Sequence, residues 1–136
     1  MKPEIWGPHA WIFLHSITLE YPDHPTNEDK QNMTNFINAL KYVLPCHKCK
    51  INFNDHLQSH PLTNNILSSK SNLIKWLIDI HNSVNKLTNK KELTYEAALA
   101  QLLQLYDHKP NYVYLYIGIS LLIITFCIYL IKRKSH

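Results

Sequence analysis

Residues 44–60 read LPCHKCKINFNDHLQSH. Pro45 stops a preceding helix, Cys46 and Cys49 open the next one, and Phe53 and Leu57 recur at helical spacing behind them. Two cysteines three positions apart can meet within one turn and form a reversible disulfide. At a helix amino terminus, the dipole and the unpaired N–H groups favour thiolate over thiol, and His47 and Lys48 add local positive charge. A thioredoxin-like use of such a pair needs a β-α-β setting, and no segment of this chain alternates like a strand. A metal site is the other reading, because Cys46-x2-Cys49-x6-His56-x3-His60 has the end spacings of a Cys2His2 site. A zinc finger, however, places about twelve residues between its two pairs. His56 and His60 read better as solvated surface histidines, and no metal ligand is assigned.

Working outward, the periodicity is helical throughout, and the chain contains only two glycines. A first helix is predicted from Pro8 to Glu20, with Trp11, Leu14, Thr18 and Tyr21 on its inner side. The Pro22–Pro25 stretch is a loop. Thr26 and Asp29 then form a capping box for a second helix bearing Met33, Phe36, Ile37, Leu40 and Val43 on one face. After a loop over 59–70, a fourth helix starts near Ser71 and carries Leu73, Ile74, Leu77, Ile78, His81, Val84 and Asn85. The polar segment Thr88–Glu92 is a turn. Thr94 caps a short fifth helix with Tyr95, Ala98, Leu99, Leu102 and Tyr106 inward. The fold class is therefore all-α, an antiparallel bundle of four helices plus a short fifth, over residues 1–108.

Beyond a linker at 109–111, no residue from Tyr112 to Ile131 carries a formal charge, and a helix of that length spans about 30 Å. Tyr112, Tyr114 and Tyr116 suit a membrane interface at one end, and a basic tail (132–136) follows at the other. The expectation is one carboxyl-terminal transmembrane helix over 112–131. Cys127, inside it, reads as a small hydrophobe. The amino terminus MKPEIWGPHAW lacks the apolar region of a signal peptide. A single-pass membrane protein with its catalytic domain facing the cytosol is expected, although the Lys132-Arg133-Lys134 tail argues for the opposite orientation. The formal charge of +4 owes three units to that tail, so the remaining chain is nearly neutral and nucleic-acid binding is not supported. Thirteen lysines to one arginine suggest an AT-rich gene.

Two further clusters carry chemistry. In Trp6-Gly7-Pro8-His9-Ala10-Trp11-Ile12-Phe13-Leu14-His15, Trp11 and His15 share a helix face. In His81-Asn82-Ser83-Val84-Asn85-Lys86, His81 and Asn85 do so, and Asn89, Lys90 and Lys91 follow. Together they provide flat ring surfaces, amide groups and a cluster of cations, which is what a planar heterocycle carrying a pyrophosphate requires.

These two blocks and the C-x-x-C, in this order and spacing, resemble the Erv/ALR family of FAD-linked sulfhydryl oxidases over about residues 4–100. With one C-x-x-C and little else, the chain is most similar to the compact forms carried by large DNA viruses. The resemblance implies a helical bundle enclosing FAD. It implies oxidation of thiols in protein substrates to disulfides, with electrons passing from Cys46/Cys49 to FAD and on to O2, giving H2O2. It assigns Cys49 to a position against the isoalloxazine ring as the charge-transfer thiolate and Cys46 to exchange with the substrate. Trp6, Trp11, His15, His81, Asn82, Val84, Asn85 and Lys86 would hold the cofactor, with Lys90 or Lys91 on its phosphates. Tyr95 stands where many members place an aromatic residue. A homodimer is implied as well, and a virion or host-cell membrane as the location. The shuttle cysteine pair and structural disulfide of fuller members are absent from this sequence. Substrates would then reach Cys46 directly or through a thioredoxin-like carrier. The readings outside this family are a zinc-binding or a non-enzymatic, membrane-anchored interaction module.

Overall fold

The structure, a computed structural model, describes residues 1–107 and 112–134; in the last helix the side chains of 127–129, 131, 132 and 134 are not described. The described residues fall into two units, Met1–Leu103 and Gln104–His136. Among the described residues the regular elements are all helical: α1 (Pro3–Leu19), α2 (Asn27–Val43), α3 (His47–Ser59), a 3-10 turn (Ile66–Ser68), α4 (Lys70–Leu87), α5 (Tyr95–Tyr106) and α6 (Val113–Lys134).

Short-range hydrogen bonds start these helices. Thr26 and Asp29 form the reciprocal capping box, Thr26 N–H donating to Asp29 Oδ2 at 2.8 Å and Asp29 N–H to Thr26 Oγ1 at 3.2 Å. Ser69 Oγ accepts from Asn72 N–H at 3.3 Å to begin α4, and Thr94 Oγ1 from Ala97 N–H at 3.2 Å to begin α5. The first helix starts at Pro3, five residues before the Pro8 start that the sequence suggested, and runs through Pro8. Pro3 occupies the first turn, where a missing N–H costs nothing. Gly7 presents no Cβ to the Pro8 ring, which removes the clash with the preceding residue, and the interior proline leaves one backbone carbonyl without its helical donor.

Within Met1–Leu103 the core is built around α4. Leu73, Leu77, Ile78 and Ile80 are fully buried and Trp76 nearly so. α4 packs against α1, α3 and the 3-10 turn, and α2 against α3. Leu14 and Tyr21, Met33 and Ile37, Phe53 and Leu67 close the same cluster. Two buried hydrogen bonds fix the connections, Trp76 Nε1–H to the His60 carbonyl at 2.9 Å and Tyr21 O–H to the Leu67 carbonyl at 3.1 Å.

Three expectations change. Val43 is 67% exposed instead of facing the core, because α2 ends there and the chain turns away at Leu44. Tyr95 and Tyr106, expected inward, are both exposed, and only Ala98 and Leu102 of α5 are buried. The transmembrane helix expected over 112–131 is not supported: among the described residues, no helix is long and apolar enough to cross a membrane. Along α6 the Ser120 and Thr125 hydroxyls turn back on the backbone, donating to the Tyr116 and Leu122 carbonyls at 2.8 and 2.9 Å. The single-pass anchor and the cytosol-facing orientation built on it fall together. The linker expected at 109–111 lies outside the described residues, as does the Cys127 side chain.

A contrast between two aliphatic positions tests this core. Ile80→Ala should cost about 3 kcal/mol by urea denaturation, since a fully enclosed cavity is left. Val43→Ala should change stability by less than about 0.5 kcal/mol, as expected of an exposed site.

Candidate active site

Cys46 is the N-cap of α3, and its sulfur accepts the Cys49 N–H at 3.2 Å. The two residues are joined as a disulfide, with Cα atoms 5.1 Å apart. Both are half-buried. The local sequence produces this directly: Pro45 prevents α2 from continuing, and the next residue able to cap a helix is Cys46. The cap places the sulfur at the positive end of the helix, where a thiolate is stabilised.

The second group of side chains comes from α1 and the last turns of α4. The Trp11 and His81 rings are stacked, with centroids 3.9 Å apart and an interplanar angle of 8°. His15 tilts against both, 6.0 Å from Trp11 and 5.4 Å from His81. His15 Nε2 and His81 Nδ1 share a hydrogen bond of 3.1 Å, which needs one ring to donate and the other to accept. Burial holds both rings neutral, lowering each pKa to about 4; for His81, the nearby charges of His15 and Lys90 act in the same direction. A doubly protonated pair would face donor to donor and lose the bond. His15 Nδ1 and the Trp6 indole nitrogen are buried without a hydrogen-bond partner. Orphaned polar atoms of this kind cost about 1–3 kcal/mol each, so a ligand with matching groups gains by satisfying them.

The remaining residues assigned from the sequence do not all join this cluster. Asn82 braces the following turn: its Nδ2 donates to the Leu93 carbonyl at 2.8 Å, and its Oδ1 accepts the Leu93 N–H at 3.0 Å. Val84 and Asn85 are half-buried, and Lys86, Lys90 and Lys91 are exposed. Tyr95 O–H donates to the Asp79 carboxylate at 2.9 Å, and the Lys75 ammonium stands 5.8 Å from its ring. That hydrogen bond, more than its slight burial, raises the Tyr95 pKa.

Sequence reasoning overlooked two features. Asn89 has φ 55°, the left-handed conformation that asparagine tolerates. Lys90 N–H then reaches back to the Asn85 carbonyl at 2.8 Å and Asn89 N–H to the Lys86 carbonyl at 3.2 Å, a Schellman ending for α4. The signal was present in the asparagine that follows the last helical turn. His56 is the other: expected on a solvated surface, it is buried on α3 with Nε2 unpartnered, and burial lowers its pKa. It falls seven residues after Cys49, on the face that also carries Phe53.

A disulfide at a helix N-cap and a pair of stacked neutral rings, both in an all-α bundle, define a helical disulfide-bearing protein with ring surfaces suited to a flat heterocycle. The chain belongs to the Erv1 / Alr family, which it matches over residues 8–104. It is 54% identical over 99 residues to a probable FAD-linked sulfhydryl oxidase of Acanthamoeba polyphaga mimivirus, an alignment covering 73% of this chain and 69% of that one. With the mitochondrial FAD-linked sulfhydryl oxidase ERV1 of Saccharomyces cerevisiae, identity is 31%, covering 62% of this chain but 43% of the yeast protein. The crystal structure of the FAD binding domain of yeast Erv1 superposes with a TM-score of 0.66 at 29% identity, covering 71% of this chain and 89% of that one. The yeast Erv1 core gives the same TM-score at 28% identity, over 71% and 79% of the two chains.

The histidine pair makes stability depend on pH. Both folded pKa values lie below that of an unfolded histidine, near 6.5, so the unfolded chain binds the extra protons. The contribution is complete above pH 6.5 and is lost as pH falls toward 4. The melting temperature of the cofactor-free protein should therefore drop between these values, with an excess uptake of about two protons on unfolding near pH 5. His81→Ala should remove about one of them. A flat profile in this window would contradict neutral burial.

Proposed function

We infer that this chain is a FAD-linked sulfhydryl oxidase that forms disulfide bonds in thiol-containing proteins. The observation that carries the reading is the Cys46–Cys49 disulfide at the α3 amino terminus, in a chain of this family.

The residues suit FAD. Trp11, His15 and His81 supply ring surfaces held neutral by burial, and His15 Nδ1 and Trp6 Nε1–H supply buried groups in need of partners. Lys86, Lys90 and Lys91 supply cations for a pyrophosphate, at the end of α4 where the Schellman turn directs the chain. Asn82 acts through the turn that it braces, and Asn85 through its carbonyl. Tyr95 closes its own hydrogen bond with Asp79, which supports a role in seating α5.

The thiol chemistry belongs to the chain itself. A substrate thiolate attacks Cys46 Sγ; the Cys46–Cys49 bond breaks, a mixed disulfide forms, and Cys49 leaves as the thiolate. The second substrate thiol, deprotonated, attacks the substrate sulfur of that mixed disulfide, forming the product disulfide and releasing Cys46. The Cys49 N–H that already bonds Cys46 Sγ stabilises Cys46 as this leaving thiolate. Bound FAD supplies the acceptor for the two electrons left on the cysteine pair and the onward reaction with O2 that yields H2O2.

Substrates meet Cys46 directly or through a thioredoxin-like carrier, since the sequence contains one C-x-x-C. A homodimer through α1 completes the proposal: Ile5, Ile12 and Phe13 are 70%, 39% and 59% exposed and lie along one side of that helix.

Cys46→Ser and Cys49→Ser should each reduce dithiothreitol oxidation to background while the protein still purifies with a flavin spectrum. Near-normal turnover in either variant would overturn the mechanism. Protein devoid of flavin, with a stable fold and no oxidase activity, would overturn the functional reading.

A further inference from the structure

The stretch of chain that carries the Cys46–Cys49 disulfide combines exposed apolar side chains with lysines, its nearest acids in sequence being Asp29 and Asp55. Tyr42 and Val43, the last residues of α2, are 70% and 67% exposed, and Ile51, early in α3, is 50% exposed. Lys41 holds its ammonium 5.2 Å from the Tyr42 ring. From Lys30 to Asn54 the chain contains Lys30, Lys41, Lys48 and Lys50 and no Asp or Glu. None of these lysines forms an ion pair among the described residues, where the recorded pair is Lys70 with Asp23. Asp29, just before this stretch, has its carboxylate turned to Thr26 in the capping box. The positive end of α3 adds to the same field.

We propose that this face docks an acidic, cysteine-bearing segment of the substrate protein, an apolar residue beside its cysteine resting on Tyr42 and Val43 and its carboxylates facing Lys41, Lys48 and Lys50. The inference rests on the thiol-oxidase reading and specifies its substrate class. A second copy of the chain is a poor occupant, because a two-fold contact would set lysines against lysines. A lipid surface is equally poor, since it would cover the disulfide that an incoming thiol must reach. A protein segment meets both requirements, offering apolar area and negative charge while carrying its own sulfur to Cys46. Docking leaves the chemistry balanced as before: the substrate loses two S–H bonds and gains one S–S bond, and the Cys46–Cys49 disulfide becomes two thiols.

The test uses the full-length, FAD-loaded protein and two synthetic dithiol peptides, identical around their cysteines but flanked by glutamates in one and lysines in the other, with dithiothreitol as a small reference. At low ionic strength kcat/KM for the acidic peptide should exceed that for the basic one by about tenfold or more. The gap should close toward ~1 M salt, where screening reaches about 3 Å. Lys41→Glu should narrow the low-salt gap by about threefold. Tyr42→Ser combined with Val43→Ser should raise KM for both peptides, and neither variant should alter dithiothreitol turnover. Equal rates for the two peptides at low salt, a preference for the basic one, or variants that slow dithiothreitol by the same factor as the peptides would each overturn the docking surface while leaving the oxidase intact. Failure of the unmodified protein to oxidise any dithiol would overturn both readings.

Discussion

Enclosure of α4 sets the terms for the rest of residues 1–103. Leu73, Leu77 and Ile80 lie on it with essentially no exposure, and a helix so covered needs neighbours on several sides. α1, α3 and the 3-10 turn take those places. The consequence reaches the site through adjacent residues: Leu14 and Ile80 are held in the shared core, and the residue that follows each, His15 and His81, meets its counterpart at 3.1 Å. Close packing thus positions rings that carry no catalytic charge of their own. It also keeps them neutral, because burial penalises the imidazolium form in both.

The disulfide follows a different logic. Helix N-caps are usually oxygen side chains, and a sulfur is a weaker acceptor, so Cys46 is a poor choice for stability alone. Thr26, Ser69 and Thr94 cap α2, α4 and α5 in the ordinary way, and α1 begins at Pro3 without a side-chain cap. The exception falls on the helix whose first turn contains the redox pair. A cap that is weak for a neutral thiol becomes strong for a thiolate, since hydrogen bonds to an ionised acceptor are roughly twice as strong.

Several expectations failed for reasons that can be stated. The run from Tyr112 to Ile131 was read as a membrane span from its lack of charge, yet among the described residues no helix is long and apolar enough to cross a membrane. Val43 fitted the apolar stripe of α2, yet the helix stops there, and a periodic pattern does not record where its last turn leaves the core. Trp76 and Ile80 went unnoticed because α4 is buried beyond a single stripe, so periodicity understated its core. His56 looked like a surface residue from its type, and the packing of α3 against α2 and α4 buried it.

The sequence by itself determined what depends on neighbours a few residues apart. The capping residues at Thr26 and Thr94, the break at Pro45, the cysteine pair in one turn and the helical period all arise from backbone hydrogen bonds and sterics within four or five positions. Three blocks in order were enough to indicate the family. Only the tertiary structure decided that Trp11 stacks on His81, that Asn82 is spent on Leu93, and that Tyr42 and Val43 stay in solvent. Those outcomes depend on which helix faces are buried together. That choice is made by the summed apolar area of the whole core, which no single stretch of sequence contains.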